Sequence, residues 1–207
     1  MADAHYFSPS PAGPLRTRTI TVELGGRTVG VETAGGVFSP EHVDQGTIVL
    51  LRNVPAPPAE GHVLEVGCGW GPVALDLAMR SPAATVWAVD VNERALELTR
   101  ANARSLGLEN VNAVLPEDVP AGLSFATVWS NPPIRVGKDA LHGILLDWLP
   151  RLAADADAWL VVQRNLGSDS LQRWLVAALP EGLATTRAAS DKGFRVLRVH
   201  RTGAAGV

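Results

Sequence analysis

Cysteine is almost missing from this chain: Cys68 is the only one in 207 residues. A disulfide framework and a cysteine-built metal site are therefore excluded. Long apolar runs are missing as well. No stretch approaches the ~18 apolar residues that a membrane-spanning helix needs, and no charged segment leading into an apolar core opens the chain. Neither a signal peptide nor a membrane span is expected, and a cytoplasmic protein is. No excess of one charge is present: 18 Lys and Arg stand against 21 Asp and Glu, a net charge of −3. That balance lacks the footprint of a non-specific nucleic-acid binder. Its distribution is uneven. From residue 164 onward Arg164, Arg173, Arg187, Lys192, Arg195, Arg198 and Arg201 outnumber Asp169, Glu181 and Asp191. A local basic face and a plain solvated surface both remain open there. No His, Asp and Glu cluster has metal-ligand spacing, so no metal is expected, and no repeat or low-complexity tract is visible.

What is present centres on one stretch. His62-Val63-Leu64-Glu65-Val66 is an apolar run ending near an acid, followed by Gly67-Cys68-Gly69-Trp70-Gly71 and then Pro72-Val73-Ala74-Leu75. This reads as strand, glycine turn, helix, with Pro72 at the first helical position, where a missing N–H costs nothing. The glycines allow positive φ and close approach of a ligand, and the turn is expected to aim free N–H groups at it. A second strand, Thr85–Val89, ends in Asp90, whose carboxylate suits two ribose hydroxyls. The spacing G-x-G-x-G departs from the dinucleotide pattern G-x-G-x-x-G, and Glu65 lies two places before it. A nearby carboxylate favours positive charge. S-adenosylmethionine, with its ammonium and sulfonium, fits better than a pyrophosphate cofactor.

In chain order, residues 1–15 read as a loop or tail. Thr17–Thr33 alternates around Gly25-Gly26 as a hairpin, pairing Val22 with Val29 and Ile20 with Val31. Ser39 and Pro40 are the expected cap and first residue of a short helix near Asp44, Gln45 and Thr47. A proline linker follows at 55–58. The division expected is an N-terminal tail, hairpin and short helix over residues 1–58, packed on an S-adenosylmethionine-binding core over 59–207. Strands are expected at about 62–66, 85–90, 111–115, 124–130 and 157–163. Helices are expected at about 72–80, 92–106, 139–149 and 169–179, with Asn92 capping the second and Gly107 closing it. A terminal antiparallel hairpin joins 183–189 to 194–200. Alternating β and α units imply a Rossmann-like doubly wound α/β sheet with ligands at the carboxyl ends of its strands.

The fourth strand ends at Asn131-Pro132-Pro133-Ile134, at the same sheet edge as the glycine turn. Each proline holds the residue before it extended, and neither has an N–H. The Asn131 side-chain oxygen and the Pro132 carbonyl are thus two rigid acceptors for an exocyclic NH2 group. Holding such a weakly nucleophilic amine in line, and favouring charge on its nitrogen, is what its methylation requires. Cys68 reads as a small filler, Trp70 as exposed near the cofactor, and His142 as exposed and unengaged.

Together these residues resemble the class I S-adenosylmethionine-dependent methyltransferases, and more narrowly the "methyltransferase small domain" family of ribosomal RNA guanine-N2 methyltransferases. The likeness also includes His5-Tyr6-Phe7-Ser8, Gly36-Val37-Phe38-Ser39, Asp44 with Gly46-Thr47, Asp90-Val91-Asn92, Arg135 and Gly137-Lys138. It implies a seven-stranded, mostly parallel sheet whose last strand is antiparallel. It implies that Glu65, Gly67, Cys68, Gly69 and Gly71 lie at the methionine end of the cofactor. Asp90 would hold the ribose, with Val91 and Asn92 beside it, and Glu117 or Asp118 would lie near the adenine. Asn131, Pro132 and Pro133 would orient the amine. Ile134 stands where many adenine-N6 and glutamine methyltransferases carry an aromatic, so Phe38 becomes the candidate for stacking on a base. Arg135 and Lys138 are candidates for phosphate, and His5 and Tyr6 for a cover over the cofactor. Bacterial enzymes of this family commonly add an N-terminal domain that helps bind RNA; the resemblance here covers the catalytic portion. The partner implied is RNA, as ribosomal RNA or a ribosomal subunit, and the product is S-adenosylhomocysteine. Methylation of a protein glutamine or a small amine, and a non-catalytic role in assembly, are the alternatives.

Overall fold

The computed structural model describes residues 16–203. The hairpin forms as expected: β1 (Thr17–Leu24) and β2 (Arg27–Ala34) pair antiparallel, with Val22 opposite Val29 and Ile20 opposite Val31. The Gly-Gly turn fixes that register, and the alternation puts one face inward. Ser39 and Pro40 do not open the next helix. Helix α1 is Gln45–Asn53, and Asp44 caps it by accepting the N–H groups of Gly46 (2.7 Å) and Thr47 (3.4 Å). The reason is packing. The first apolar residues to reach the core are Val49 and Leu50, which sets the start of the helix just ahead of them. Ser39 instead donates its hydroxyl to the His42 carbonyl within a loop.

From residue 60 the chain alternates β3 (Glu60–Val66), α2 (Pro72–Arg80), β4 (Ala83–Val89), α3 (Glu93–Ser105), β5 (Val111–Val114) and β6 (Phe125–Ser130). Then follow α4 (Lys138–Trp148), β7 (Leu152–Gln163), α5 (Ser168–Ala178), β8 (Leu183–Asp191) and β9 (Phe194–Arg201). Pro72 opens α2, Asn92 caps α3, and Gly107 closes it where the Leu108 N–H reaches the Ala103 carbonyl. Strand β7 begins five residues before the expected 157. Leu152 already pairs with Phe125, and a register shift follows before Thr127 meets Asp157. The intervening Ala153-Ala154-Asp155-Ala156 has little strand propensity and no partner on β6; it bulges out of the ladder with Asp155 at φ 58°.

The seven strands run in the order β5-β4-β3-β6-β7-β9-β8. β9 is antiparallel to both of its neighbours. Helices cover both faces. Leu141, Leu145 and Trp148 of α4 and Leu171 and Leu175 of α5 pack on one face with Leu64, Val128 and Leu160. Val49 and Leu50 of α1, Ala74 and Leu77 of α2 and Leu96 of α3 pack on the other with Val63, Val86 and Val161. The hairpin forms a further layer outside α2 and α3. Val22, Leu24, Val29 and Val31 bury against Trp70, Leu75 and Leu98. Trp70 is thus 1% exposed, not the exposed neighbour of a ligand that its place in the glycine turn implies. Its indole N–H donates to the Ser39 carbonyl at 3.1 Å. The polar seam is also satisfied: Asn102 accepts from the Glu32 N–H at 2.6 Å, donates to the Glu32 carbonyl at 2.9 Å, and donates to the Trp70 carbonyl at 3.0 Å.

Candidate functional site

Strands β3 and β6 end side by side. Val66 pairs with Ser130, and the Ser130 hydroxyl donates to the Val66 carbonyl at 2.7 Å. The next residues are Gly67 and Asn131, so the glycine turn and the Asn-Pro-Pro corner start as neighbours. Both line a cavity of about 780 Å³ at the carboxyl edge of the parallel strands, within the usual size range of small-molecule sites.

Four N–H groups of the turn are turned away from that cavity. The Gly67 and Cys68 N–H groups both donate to the Val89 carbonyl, at 2.8 and 3.0 Å. Gly69 donates to Asp90 Oδ2 at 2.9 Å, and Gly71 to the Cys68 carbonyl at 2.9 Å. The four donors that would hold a phosphate are consumed within the protein. What the turn provides is room. Gly67 (φ +80°) and Gly69 (φ +57°) have nothing within 4 Å of where a Cβ would stand, so a ligand can lie directly on the backbone.

Acids surround this end. Asp90 accepts from Gly69 through one oxygen and from the Asn92 N–H through the other, at 2.9 Å. Burial raises its pKa, while the N–H groups of Gly69, Asn92 and Val91 oppose the rise. Glu65 is 3% exposed and lines a small recess beside the main cavity. Its Oε2 accepts the Ala74 N–H at 2.7 Å, at the start of α2. Burial pushes its carboxyl well above the ordinary value, helped by the charges of Asp90 and Asp76. A cation bound above the turn would relieve this crowding of negative charge, and an anion would worsen it. The residues present therefore fit a ligand that is positively charged at this end. Cys68 is buried, its thiol pushed up by burial and by Asp90 and Glu65, and its sulfur faces the Thr99 hydroxyl at 3.6 Å. It fills space, as expected.

A protonation prediction arises here. The folded pKa of Glu65 lies above its unfolded value, so its stabilising contribution is full below about pH 4.5 and is lost as pH rises through the folded value. Glu65→Gln keeps an acceptor for Ala74 without the charge. Its melting temperature should exceed that of the parent by a few degrees at neutral pH, and the gap should close on acidification. Thermal melts across pH 4–8 check this, and a gap independent of pH is the contrary result.

At the second corner Asn131 donates its amide NH2 to Asp44 Oδ2 at 2.9 Å and to Thr47 Oγ1 at 3.2 Å. Pro132 is less free than two consecutive prolines imply. Its carbonyl accepts the Ile134 N–H at 2.8 Å, because Pro133 (φ −74°, ψ 76°) makes an inverse γ-turn. One lone pair of that carbonyl remains for a ligand.

Of the other sequence candidates, Phe38, Val91, Asn92, Ile134 and Arg135 line the cavity. Glu117 and Asp118 do not: the short 3-10 turn Pro116–Asp118 directs them to solvent, and Pro116 takes the wall position. Lys138 is exposed at the start of α4, between the wall residues Val136 and Ala140. Gly71 lies behind the turn, where a Cβ would stand 3.0 Å from the Thr99 hydroxyl. His142 is engaged after all, stacked on Trp174 with ring centroids 3.6 Å apart and planes within 4°. Of the C-terminal bases, Arg164, Arg173 and Lys192 are exposed, and the other four are engaged. Arg187 and Arg195 pair with Asp169, Arg198 with Asp157, and Arg201 donates to the Pro150 and Leu152 carbonyls. His5 and Tyr6 lie outside the described residues. Among those described, no three His, Cys, Asp or Glu side chains are arranged to hold a metal ion, and no helix is long and apolar enough to cross a membrane.

Some wall residues are not candidates from the sequence. Phe194 and Gln163 face each other across β9 and β7, and only the antiparallel insertion of β9 brings the start of a C-terminal strand to this edge. Asp44 was masked by the nearer Ser-Pro pair, although Asp-x-Gly-Thr is itself a capping signal.

The chain is similar in sequence and in fold to known proteins. An uncharacterized protein of Bacillus subtilis (strain 168), YbxB, is 36% identical over 169 residues, covering 80% of this chain and 84% of that one. Ribosomal RNA small subunit methyltransferase C of Aeromonas hydrophila is 36% identical over 109 residues, 52% of this chain and 31% of that protein. The structure of the T. thermophilus 16S rRNA N2 G1207 methyltransferase, RsmC, in complex with AdoMet and guanosine, superposes with a TM-score of 0.76 at 21% identity, covering 91% of this chain and 51% of that one. The chain thus spans a third to a half of the length of these rRNA methyltransferases. Residues 28–198 match the methyltransferase small domain, and the chain belongs to that family of S-adenosylmethionine-dependent methyltransferases.

Proposed function

We propose that this protein methylates the exocyclic N2 of a guanine in ribosomal RNA. The observation that carries the reading is the orientation of Asn131. Both hydrogens of its amide are taken up by Asp44 and Thr47, so the oxygen is the end left for a substrate. An exocyclic amine is a donor and matches that oxygen and the remaining lone pair of Pro132. S-adenosylmethionine, when bound, supplies an electrophilic methyl group. Gly67 and Gly69 would carry its methionine end beside Glu65, and Asp90 the ribose. Val91 and Pro116 would border the adenine. Cys68 and Gly71 would serve the shape of the turn rather than touch it.

The amine lone pair is delocalised into its ring, so nucleophilicity has to be recovered by position. Asn131 and Pro132 hold the nitrogen at a fixed point, and their oxygens stabilise positive charge as it builds there. The nitrogen loses its proton once the new N–C bond makes it acidic, so acceptors matter more than a strong base. Phe38, Ile134 and Phe194 form the apolar border on which a base could rest, and Arg135 is the cavity-wall cation suited to a phosphate. The RNA assignment is supported by the relatives whose names specify rRNA and guanine N2.

The test is incubation with labelled S-adenosylmethionine and unmodified rRNA, naked and within the small subunit, followed by nucleoside mapping. Label on N2-methylguanosine is expected. Label on protein alone, or on adenosine, overturns the assignment.

A further inference from the structure

We infer that Asp44 is a positioning residue for methyl transfer: it locks the side-chain amide of Asn131 with the oxygen toward the substrate. This rests on the reading of Asn131 given above. An asparagine amide has two ends of nearly equal shape, and a rotation of 180° exchanges acceptor for donor. Turned the wrong way, Asn131 would set its NH2 against the NH2 of the substrate. Something must choose, and the choice is visible. A carboxylate only accepts, and Asp44 Oδ2 lies 2.9 Å from Asn131 Nδ2. The flipped amide would place two oxygens in contact. Thr47 Oγ1, 3.2 Å from the same nitrogen, takes the second hydrogen.

Asp44 is itself immobilised. The same oxygen caps α1 through the N–H groups of Gly46 and Thr47, and α1 is anchored by the fully buried Val49 and Leu50. The lock is therefore part of a helix start, not a lone surface contact. Gly46 makes the approach feasible. A Cβ there would stand 2.9 Å from Asp44 Oδ2, 3.0 Å from Phe194 and 3.3 Å from Asn131 Nδ2. A charged acceptor behind the amide also polarises it, making the opposite oxygen a stronger acceptor.

The roles of cap and lock can be separated. Asp44→Ser still caps the helix, but its hydroxyl is shorter and falls away from Asn131. Asp44→Asn retains an oxygen of the same reach. With the full chain, Asp44→Ser should melt within a few degrees of the parent and bind S-adenosylmethionine within about twofold. Its kcat should fall roughly 10- to 100-fold, the scale of a misplaced reacting group. Asp44→Asn should restore kcat to within about fivefold of the parent. Introduced into Asn131→Ala, Asp44→Ser should cost nothing more. A second readout needs no turnover: in NMR spectra, the Asn131 side-chain amide protons should be protected from solvent exchange in the parent and in Asp44→Asn, and unprotected in Asp44→Ser. Parental kcat and protection in Asp44→Ser, with Asn131→Ala inactive, overturn the lock and spare the reading of Asn131. Full activity in Asn131→Ala overturns both.

Discussion

Asn131→Ala should reduce methyl transfer by about 10²–10³-fold, the usual cost of removing one preorganised hydrogen-bonding group from a reacting centre. Affinity for S-adenosylmethionine should stay within about tenfold. The asymmetry follows from where the residue sits. The glycine turn, Glu65 and Asp90 form their own hydrogen-bonded unit, which the substitution leaves intact. Asn131 joins that unit through the neighbouring ends of β3 and β6, while its own amide donates to Asp44 and Thr47. The loss should fall on kcat, because the acceptor matters most when nitrogen carries developing charge. Removing the side chain also leaves Asp44 Oδ2 without one of its donors, but the N–H groups of Gly46 and Thr47 still satisfy that oxygen, so the fold should survive. Single-turnover rates and titration calorimetry decide the matter. A rate near that of the parent would end the assignment of Asn131 to the amine.

Trp70→Ala should cost about 3–5 kcal/mol of stability, the range for deleting a large buried aromatic. The Trp70 side chain ties together separate parts of the chain. The indole packs among Val22, Leu24, Val29 and Val31 of the hairpin and Leu75 and Leu98 of the helices. Its N–H holds the Ser39 carbonyl, and its own carbonyl takes a hydrogen from Asn102. The cavity left would lie between layers, where collapse requires the hairpin to move. Urea unfolding should show the lost stability, and amide exchange should quicken first in Thr28–Val31. Because Phe38 precedes Ser39, activity should fall too. A loss under about 1 kcal/mol would mean the hairpin docks without its central residue.

The elements legible in the sequence are those whose causes are local. A Gly-Gly turn sets the hairpin register, Pro72 and Asn92 open their helices, and alternating β and α units predict the layered sheet. The two chemical corners were legible by the same logic, since both follow a strand directly. What escaped depends on residues far apart. The N–H groups of the glycine turn are consumed by Val89 and Asp90 from the next strand, which no spacing within the turn reveals. Trp70 turns inward because the apolar face of the hairpin and the Ser39 carbonyl await it. Asp44 and Asn131, 87 positions apart, meet only once α1 lies over the sheet. Glu117, Asp118 and Lys138 point to solvent for a smaller reason: short turns set their direction, and the direction of a turn residue is not periodic.

The lone thiol of Cys68 has a practical consequence. Closed off from solvent, with its sulfur held protonated between two acids, it is a poor target for maleimides and iodoacetamides. Any cysteine engineered onto the surface would then react alone, so a dye or spin label could be attached at the cavity rim without first stripping the protein of its native sulfur chemistry.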